Sequence, residues 1–189
     1  MPQNRSIESL ARGIRRCRKC ALHKSRAHAV PGEGGSGHAS VMLVGEAPGR
    51  KEDETGRPFV GMTGQRFFRP LLEEIGFDLT DIFITSVVKC RPPGNRDPGA
   101  MEVETCVNAW LKSQVQALDP REIILLGKVP AKGLLGTNEK IANLRGREFE
   151  IFGRPARVTY HPTAGMRFPG PREAIKEDLT RRAKNWRKP

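Results

Sequence analysis

The chain has 189 residues, 37% of them hydrophobic and 29% charged, with a net charge of +12 and a pI near 10.1. That length is enough for one domain, residues 1–189, with a substantial core. No run of about 18 apolar residues is present, so no membrane span is indicated. The basic start "MPQNRSIESLARGIRRCRKC" lacks the apolar core and small-residue cleavage site of a secretory signal.

Such a charge favours polyanions, with nucleic acid the leading partner class and a cytoplasmic, nucleoid-associated location the matching expectation. The charge is clustered. Residues 1–31 hold eight Arg or Lys and one acid; residues 172–188 hold seven and three. A merely soluble, Arg-rich surface is the bland alternative. One Tyr and two Trp are too few for a platform that stacks single-stranded bases.

Ser6 is placed to cap a first helix over roughly 7–16, which runs into Cys17. "GEGGSG" (32–37) precedes a strand instead of following one, so it does not read as a dinucleotide fingerprint. "HASVMLVGEAPG" reads as a buried strand, about 40–44, ending in a Gly/Pro turn. "TGQRFFRPLLEEIG" has helical spacing, with Gly76 as its stop. "DIFITSVVKC" is a second strand ending at Cys90. "RDPGAMEVETCVNAWLKSQVQAL" opens a helix with Asp97 as cap and Pro98 at the first helical position. "REIILLG" is a third strand, and "VPAKGLLG" a short helix. "EFEIFGRPARVTYHP" suggests a hairpin or a pair of strands, the second ending at His161, and a basic helix closes the chain over roughly 172–185.

Strands alternating with helices imply an α/β fold with a largely parallel sheet and helices on both faces. In such sheets ligands bind beyond the carboxyl ends of the strands. The turns "GEAPG", "KCRPPGNR" and "HPTAGMR" all fall there and nominate the site.

Four cysteines are present: Cys17 and Cys20 as C-x2-C, then Cys90 and Cys106. In a cytosolic chain disulfides are disfavoured, and a C-x2-C pair set among Arg and Lys is unusual for core packing. A shared four-cysteine metal site is the expectation. Zinc and an iron–sulfur cluster both accept four thiolates. With only one close pair, the spacing leans toward 4Fe-4S without settling it. Arg15, Arg16, Arg18, Lys19, Lys89 and Arg91 would offset the charge of a tetrathiolate site.

The densest stretch is "GEAPGRKEDETGRPFVG" (45–61). Gly45, Pro48 and Gly49 permit a tight turn with main-chain N–H groups facing a ligand. Glu46, Glu52 and Asp53 supply carboxylates, and Phe59 a flat apolar face; a solvated loop and core packing are the plain alternatives. In "YHPTAGMRFPGPR" (160–172), His161 sits at a strand end. The Gly/Pro loop after it carries Met166, Arg167 and Phe168. Met166 or Phe168 would wedge into a base stack while Arg167 holds phosphate.

Taken together, Cys17-x2-Cys20, "VPGEG", "VGEAPG", "GRPFVG", "VVKCRPPGNR", Cys106, "LLG", "LRG" and "HP" resemble the family 4 uracil-DNA glycosylases, the iron–sulfur type of archaea and bacteria, over nearly the whole chain. The resemblance implies a three-layer α/β/α sandwich around a four-stranded parallel sheet. It also implies a structural 4Fe-4S cluster on Cys17, Cys20, Cys90 and Cys106. The reaction implied is hydrolysis of the N-glycosidic bond of deoxyuridine in single- or double-stranded DNA, by a monomer. His161 would donate to uracil O2, assisted by the main-chain N–H groups of Glu46 and Ala47. Phe59 would stack on uracil, and Glu52 would crowd its C5 edge and reject thymine. Glu46 would position water or sugar. Gly45 would line the base site, and Met166, Arg167, Phe168 and Arg91 would contact DNA.

Two departures stand out. Ser86 occupies the place of the family's usual Asn, so a two-point amide contact becomes one hydroxyl, at a cost of about 1–3 kcal/mol. Gly165 would loosen the intercalating loop. Ser86 motivates the alternative of another deaminated base, hypoxanthine or xanthine, or of weak activity. A non-catalytic four-cysteine DNA-binding module is a further alternative. "KCRPPGNR" carries no Arg/Lys-rich insertion, which argues against covalent capture of the product.

Overall fold

Alternation inside the strands decides the layers. In β2 (Val41–Gly45) every residue is buried, yet Val41 and Leu43 join one core cluster while Met42 and Val44 join another. A strand buried on both faces belongs to the middle of a sheet covered by helices on both sides. The computed structural model describes residues 6–35 and 39–186, with side chains as far as Arg181. The end of "GEGGSG" and parts of both basic chain ends therefore lie outside the described residues.

The sheet has six strands in the order β1-β3-β2-β4-β6-β5, with β1 at Glu33–Gly34, β3 at Ile82–Ser86, β4 at Glu122–Leu126, β5 at Phe149–Ile151 and β6 at Arg154–Thr159. The four strands β3, β2, β4 and β6 run parallel; the short edges β1 and β5 are antiparallel. The expected four-stranded parallel sheet is thus the centre of a six-stranded one. Phe152 and Gly153, both at positive φ (52° and 77°), make the tight turn of the β5–β6 hairpin.

One face carries α1 (Ile7–Arg15), which buries Leu10 and Ile14 beside Trp110 and Val115. Ser6 caps α1 as expected, its Oγ accepting from the Ser9 N–H at 3.3 Å. A short helix, α2 (Arg50–Thr55), follows the β2 turn. On the other face, a π-helical turn (Gly64–Phe68) leads into α3 (Arg69–Glu74), placing Phe67, Phe68, Leu71 and Leu72 against Val41, Leu43 and Ile84. Gly76, at φ 76°, ends that run.

Next come α4 (Ala100–Cys106), a π turn (Val107–Leu111) and α5 (Lys112–Leu118), then α6 (Lys128–Leu135), α7 (Ile141–Leu144), α8 (Pro162–Arg167) and α9 (Pro169–Trp186). Ile175 and Leu179 of α9 complete the second cluster. The fold is the expected three-layer sandwich. Among the described residues no helix is long and apolar enough to cross a membrane.

Three boundaries differ from the sequence expectation. Helix α4 starts at Ala100, not after Asp97, because Glu102 reaches back to the Gly99 N–H at 2.8 Å and is itself held by Arg96. Strand β3 stops at Ser86, short of Cys90, because the next carbonyls turn to other partners: Ser86 O accepts from Lys89 Nζ at 2.7 Å and Lys89 O from Val30 N–H at 2.8 Å. Strand β6 stops at Thr159, leaving His161 to cap α8.

Candidate active site and four-cysteine site

Two sites flank the carboxyl end of β3. The first is built where β2, β3, β4 and β6 end together. Gly45 closes β2 opposite Ser86 on β3. A methyl group added at Gly45 would stand 3.1 Å from the Phe59 ring and 3.6 Å from Ser86 Oγ, so these three residues meet at one point. The His161 ring lies 6.1 Å from the Phe59 ring, centroid to centroid, inclined by 32°. Gly45, Phe59, Ser86 and His161 thus gather at the carboxyl ends of the parallel strands. The Ser86 hydroxyl makes no hydrogen bond to another described residue.

His161 is held in one chemical state. Its Nδ1 accepts from the Thr163 N–H at 3.2 Å, which leaves the proton on Nε2. Burial pushes its pKa down to about 4, so the ring is neutral at physiological pH and its free nitrogen is a donor. Gly127 makes room for it: at φ 95°, any Cβ there would stand 2.8 Å from His161 Cβ. The motif "LLG" marks this glycine in the sequence, but its role beside His161 shows only in the fold.

Phe59 has φ 49°, in the left-handed region that non-glycine residues rarely occupy. Such a conformation persists only when its surroundings over-determine it, and they do. Glu52 Oε1 accepts from the Val60 and Gly61 N–H groups at 2.9 and 2.7 Å. Arg69 donates to Phe59 O at 2.9 Å and to Pro58 O at 2.7 Å, and pairs with Glu33. The Phe68 ring packs 4.8 Å away. The Glu52 carboxylate is therefore bound into the loop that shapes Phe59. Arg69 was missed from sequence; a lone basic residue inside the apolar run "RFFRPLL" was the available signal. Asp53 is buried and accepts from the Ala27 and His28 N–H groups, a structural role.

Glu46 follows Gly45 in the turn. Burial, and then the negative charge of Asp97, raise its pKa to about 7. A carboxyl poised there exchanges a proton near neutrality.

The segment expected to be a Gly/Pro loop is a helix, α8. His161 caps it, Pro162 occupies its first position, and Ala164 and Gly165 N–H groups bond back to His161 O. Gly165 does not loosen it. The residue is buried, and a Cβ there would stand 2.6 Å from the Phe67 ring and 2.8 Å from Ile175, so glycine permits close packing. Met166 leans on that core, whereas Arg167 is exposed and Phe168 stands 59% exposed beyond the helix end. Arg91 donates to Asn95 Oδ1 at 2.7 Å, an internal contact of its loop. Met62, 61% exposed beside the Phe59 loop, is an apolar tip that sequence reasoning did not single out.

The second site gathers the cysteines. Cys17 lies just past α1, Cys20 opens a 3-10 turn (Ala21–Lys24), Cys90 follows β3, and Cys106 ends α4. All four line one cavity with Ile14, Val88 and Trp110. None is in a disulfide. Among the described residues, no group of three His, Cys, Asp or Glu side chains is placed to hold a metal ion. Burial pushes the Cys106 thiol up to about 11 and raises that of Cys90. Loading these thiols as thiolates would release protons.

The cations around this cavity are only partly those expected. Of the six named from sequence, Lys19 and Lys89 border it, while Arg15, Arg16 and Arg18 are exposed elsewhere on the segment. Arg26, not anticipated, donates to Cys90 Sγ at 2.8 Å. Trp110 Nε1 donates to Cys17 Sγ at 3.2 Å.

The chain was compared with known proteins. The family model described as "Uracil DNA glycosylase superfamily" matches residues 31–184. A type-4 uracil-DNA glycosylase of Pyrobaculum aerophilum is 45% identical over 183 residues, covering 92% of this chain and 91% of its own. Those of Saccharolobus solfataricus and Archaeoglobus fulgidus are 40% and 39% identical, each over 182 residues and 92% of this chain, covering 83% and 90% of their own.

Proposed function

The chain belongs to the uracil-DNA glycosylase superfamily, and from that premise we propose how its pocket works as a DNA-repair enzyme of the type-4 class. The enzyme is a monofunctional glycosylase that hydrolyses the N-glycosidic bond of deoxyuridine in DNA and leaves an abasic site. The observation that carries this reading is the meeting of Phe59, Ser86 and His161 beyond the carboxyl ends of the parallel strands.

The target base leaves the stack and enters the pocket. Phe59 stacks on it, and the Ser86 hydroxyl contacts its amide edge. As the C1′–N1 bond breaks, its electron pair goes to N1 and charge spreads to O2. The His161 Nε2–H and the main-chain N–H groups of Glu46 and Ala47 receive that charge. A neutral imidazole suits the task, because it donates a hydrogen bond without first having to hold a positive charge. Water oxygen bonds to C1′, and Glu46 orients that water or takes its proton. Glu52 acts on the base indirectly, by fixing the loop that carries Phe59. Thymine exclusion therefore follows from where that loop holds the ring. Arg167 and Phe168 are the residues of α8 and its exit that reach DNA, with Met166 as their support.

The four-cysteine cavity suits a 4Fe-4S cluster. Its donor set is four cysteines lining one cavity, the ligand set that such a cluster takes. When bound, the cluster supplies a rigid crosslink between the α1 segment and the β3–α4 region; no step of base removal passes through it. The enzyme acts as a monomer on single- or double-stranded DNA, at the nucleoid.

Ser86 supports a second reading, in which the pocket prefers another deaminated base. Oligonucleotides carrying uracil, hypoxanthine or xanthine, treated with wild type and Ser86→Asn, separate the two. Uracil release by wild type, increased about tenfold by Ser86→Asn, fits the first reading. Release of hypoxanthine or xanthine in preference to uracil fits the second.

A further inference from the structure

Arg26 touches two of the segments that carry the cysteines. Its Nη1 donates to Cys90 Sγ at 2.8 Å, and its Nη2 donates to Arg15 O at 3.0 Å and Cys17 O at 2.9 Å. A single guanidinium thus ties the loop after β3 to the segment after α1. Opposite it, Lys89 is buried to 1% exposure, with Nζ within 2.5 Å of Thr85 Oγ1 and 2.7 Å of Ser86 O. Thr85 Oγ1 in turn donates to Pro31 O, which also accepts from Gln114 of α5. The Lys89 main-chain N–H donates to the Cys106 sulfur.

Burying an ammonium is costly unless something nearby repays its lost hydration. Among the described residues no carboxylate is paired with either cation; their hydrogen-bond partners are a sulfur and neutral oxygens. A 4Fe-4S core in its 2+ state, held by four thiolates, carries two net negative charges. Two fixed cations therefore match it.

We propose that Arg26 and Lys89 are the charge-balancing positioning residues of the four-cysteine site, and that Lys89 also ties that site to β3 at Ser86. The proposal rests on the cluster reading above. Outer-sphere donors to metal-bound sulfur tune the metal and hold its ligands, and their loss costs about 10–100-fold in retention. Removing a nearby positive charge makes the cluster harder to reduce. The exposed cations Arg16, Arg18 and Lys24 share the segment but touch no cysteine sulfur.

The test uses full-length protein purified without oxygen. Iron per chain and absorbance near 400 nm are read first, then the midpoint potential by voltammetry and the rate of bleaching in air. Arg26→Gln is expected to move the midpoint to a more negative value and to bleach about 10–100-fold faster than wild type. Arg26→Lys keeps the charge and loses the fork; it should stay near the wild-type midpoint yet bleach faster. Lys24→Gln should match wild type in both. Lys89→Met should shift the midpoint in the same direction as Arg26→Gln; if it yields no folded protein, the two Arg26 variants carry the test. Iron-loaded Arg26→Gln with an unmoved midpoint, or Lys24→Gln shifted as far as Arg26→Gln, would overturn this inference alone. Wild type without iron would overturn the cluster reading and this inference with it.

Discussion

The proposed base pocket and the four-cysteine site meet at β3, with Ser86 assigned to one and Lys89 and Cys90 bordering the other. The cysteine site is made from side chains of a single type, drawn from three separate segments and backed by two cations. The pocket is made from unlike residues, and its accuracy comes from the main chain: a left-handed Phe59, a glycine beside His161, a helix N-terminus that fixes a tautomer. Four sulfurs suit a device that staples the fold. Pre-aimed donors and a fixed ring suit a site that must meet charge as it develops. The two regions should therefore respond differently to small changes.

His161→Ala should produce the largest effect, a loss of about 10²–10³ in single-turnover uracil release, because it removes the donor proposed for the departing anion. Iron content and Tm should barely move. A parallel loss of iron would mean that the regions are not separable.

Gly127→Ala comes next. It puts an alanine at φ 95°, ψ −173°, a region essentially reserved for glycine, at about 1–3 kcal/mol, and presses a methyl group onto His161. Uracil release should fall by roughly tenfold or more, and Tm by about 2–12 °C. A Tm loss with full activity would show that His161 tolerates displacement.

Glu52→Ala removes the acceptor of the Val60 and Gly61 N–H groups and should cost about 1–3 kcal/mol of stability. Because Phe59 loses its support, KM for uracil-containing DNA should rise and discrimination against thymine weaken. If thymine release appears with KM unchanged, the carboxylate screens the base directly and the indirect role assigned here is wrong.

The smallest effect concerns pH. Glu46 in the folded enzyme ionises near 7, above its ordinary carboxylate range. Its charged form, the active one in the proposed role, gains population as pH rises through 7. The rate should climb several-fold between pH 6 and 8 and flatten in Glu46→Gln. The raised value also means that folding stability attributable to this group is fully present below the ordinary range and is lost as pH rises through about 7.

Much of both regions was legible in the chain. The strand–turn–helix rhythm gave the parallel sheet, and the sheet gave the edge at which Gly45, Ser86 and His161 gather. C-x2-C with Cys90 and Cys106 gave the sulfur site, because donor type is written in residue identity. What escaped was set by close contact. Arg26 lies nine residues beyond Cys17 with no motif to mark it, and its link to Cys90 spans 64 residues. The role of Glu52 depends on loop N–H groups that no periodicity reveals. The segment after His161 read as a loop because it holds Gly165 and two flanking prolines. In the structure Pro162 starts a helix, and Gly165 lets that helix pack on Phe67. Asp97 looked like a cap until Glu102 and Arg96 fixed the start two residues later.

The account stands on the base pocket releasing uracil. The most direct measurement incubates iron-loaded protein in excess with two oligonucleotides identical except for one uracil or one thymine, and quantifies free base together with alkali-labile sites. The account predicts one free uracil per alkali-labile site from the first strand and neither product from the second. No free uracil from protein with a full complement of iron would contradict it.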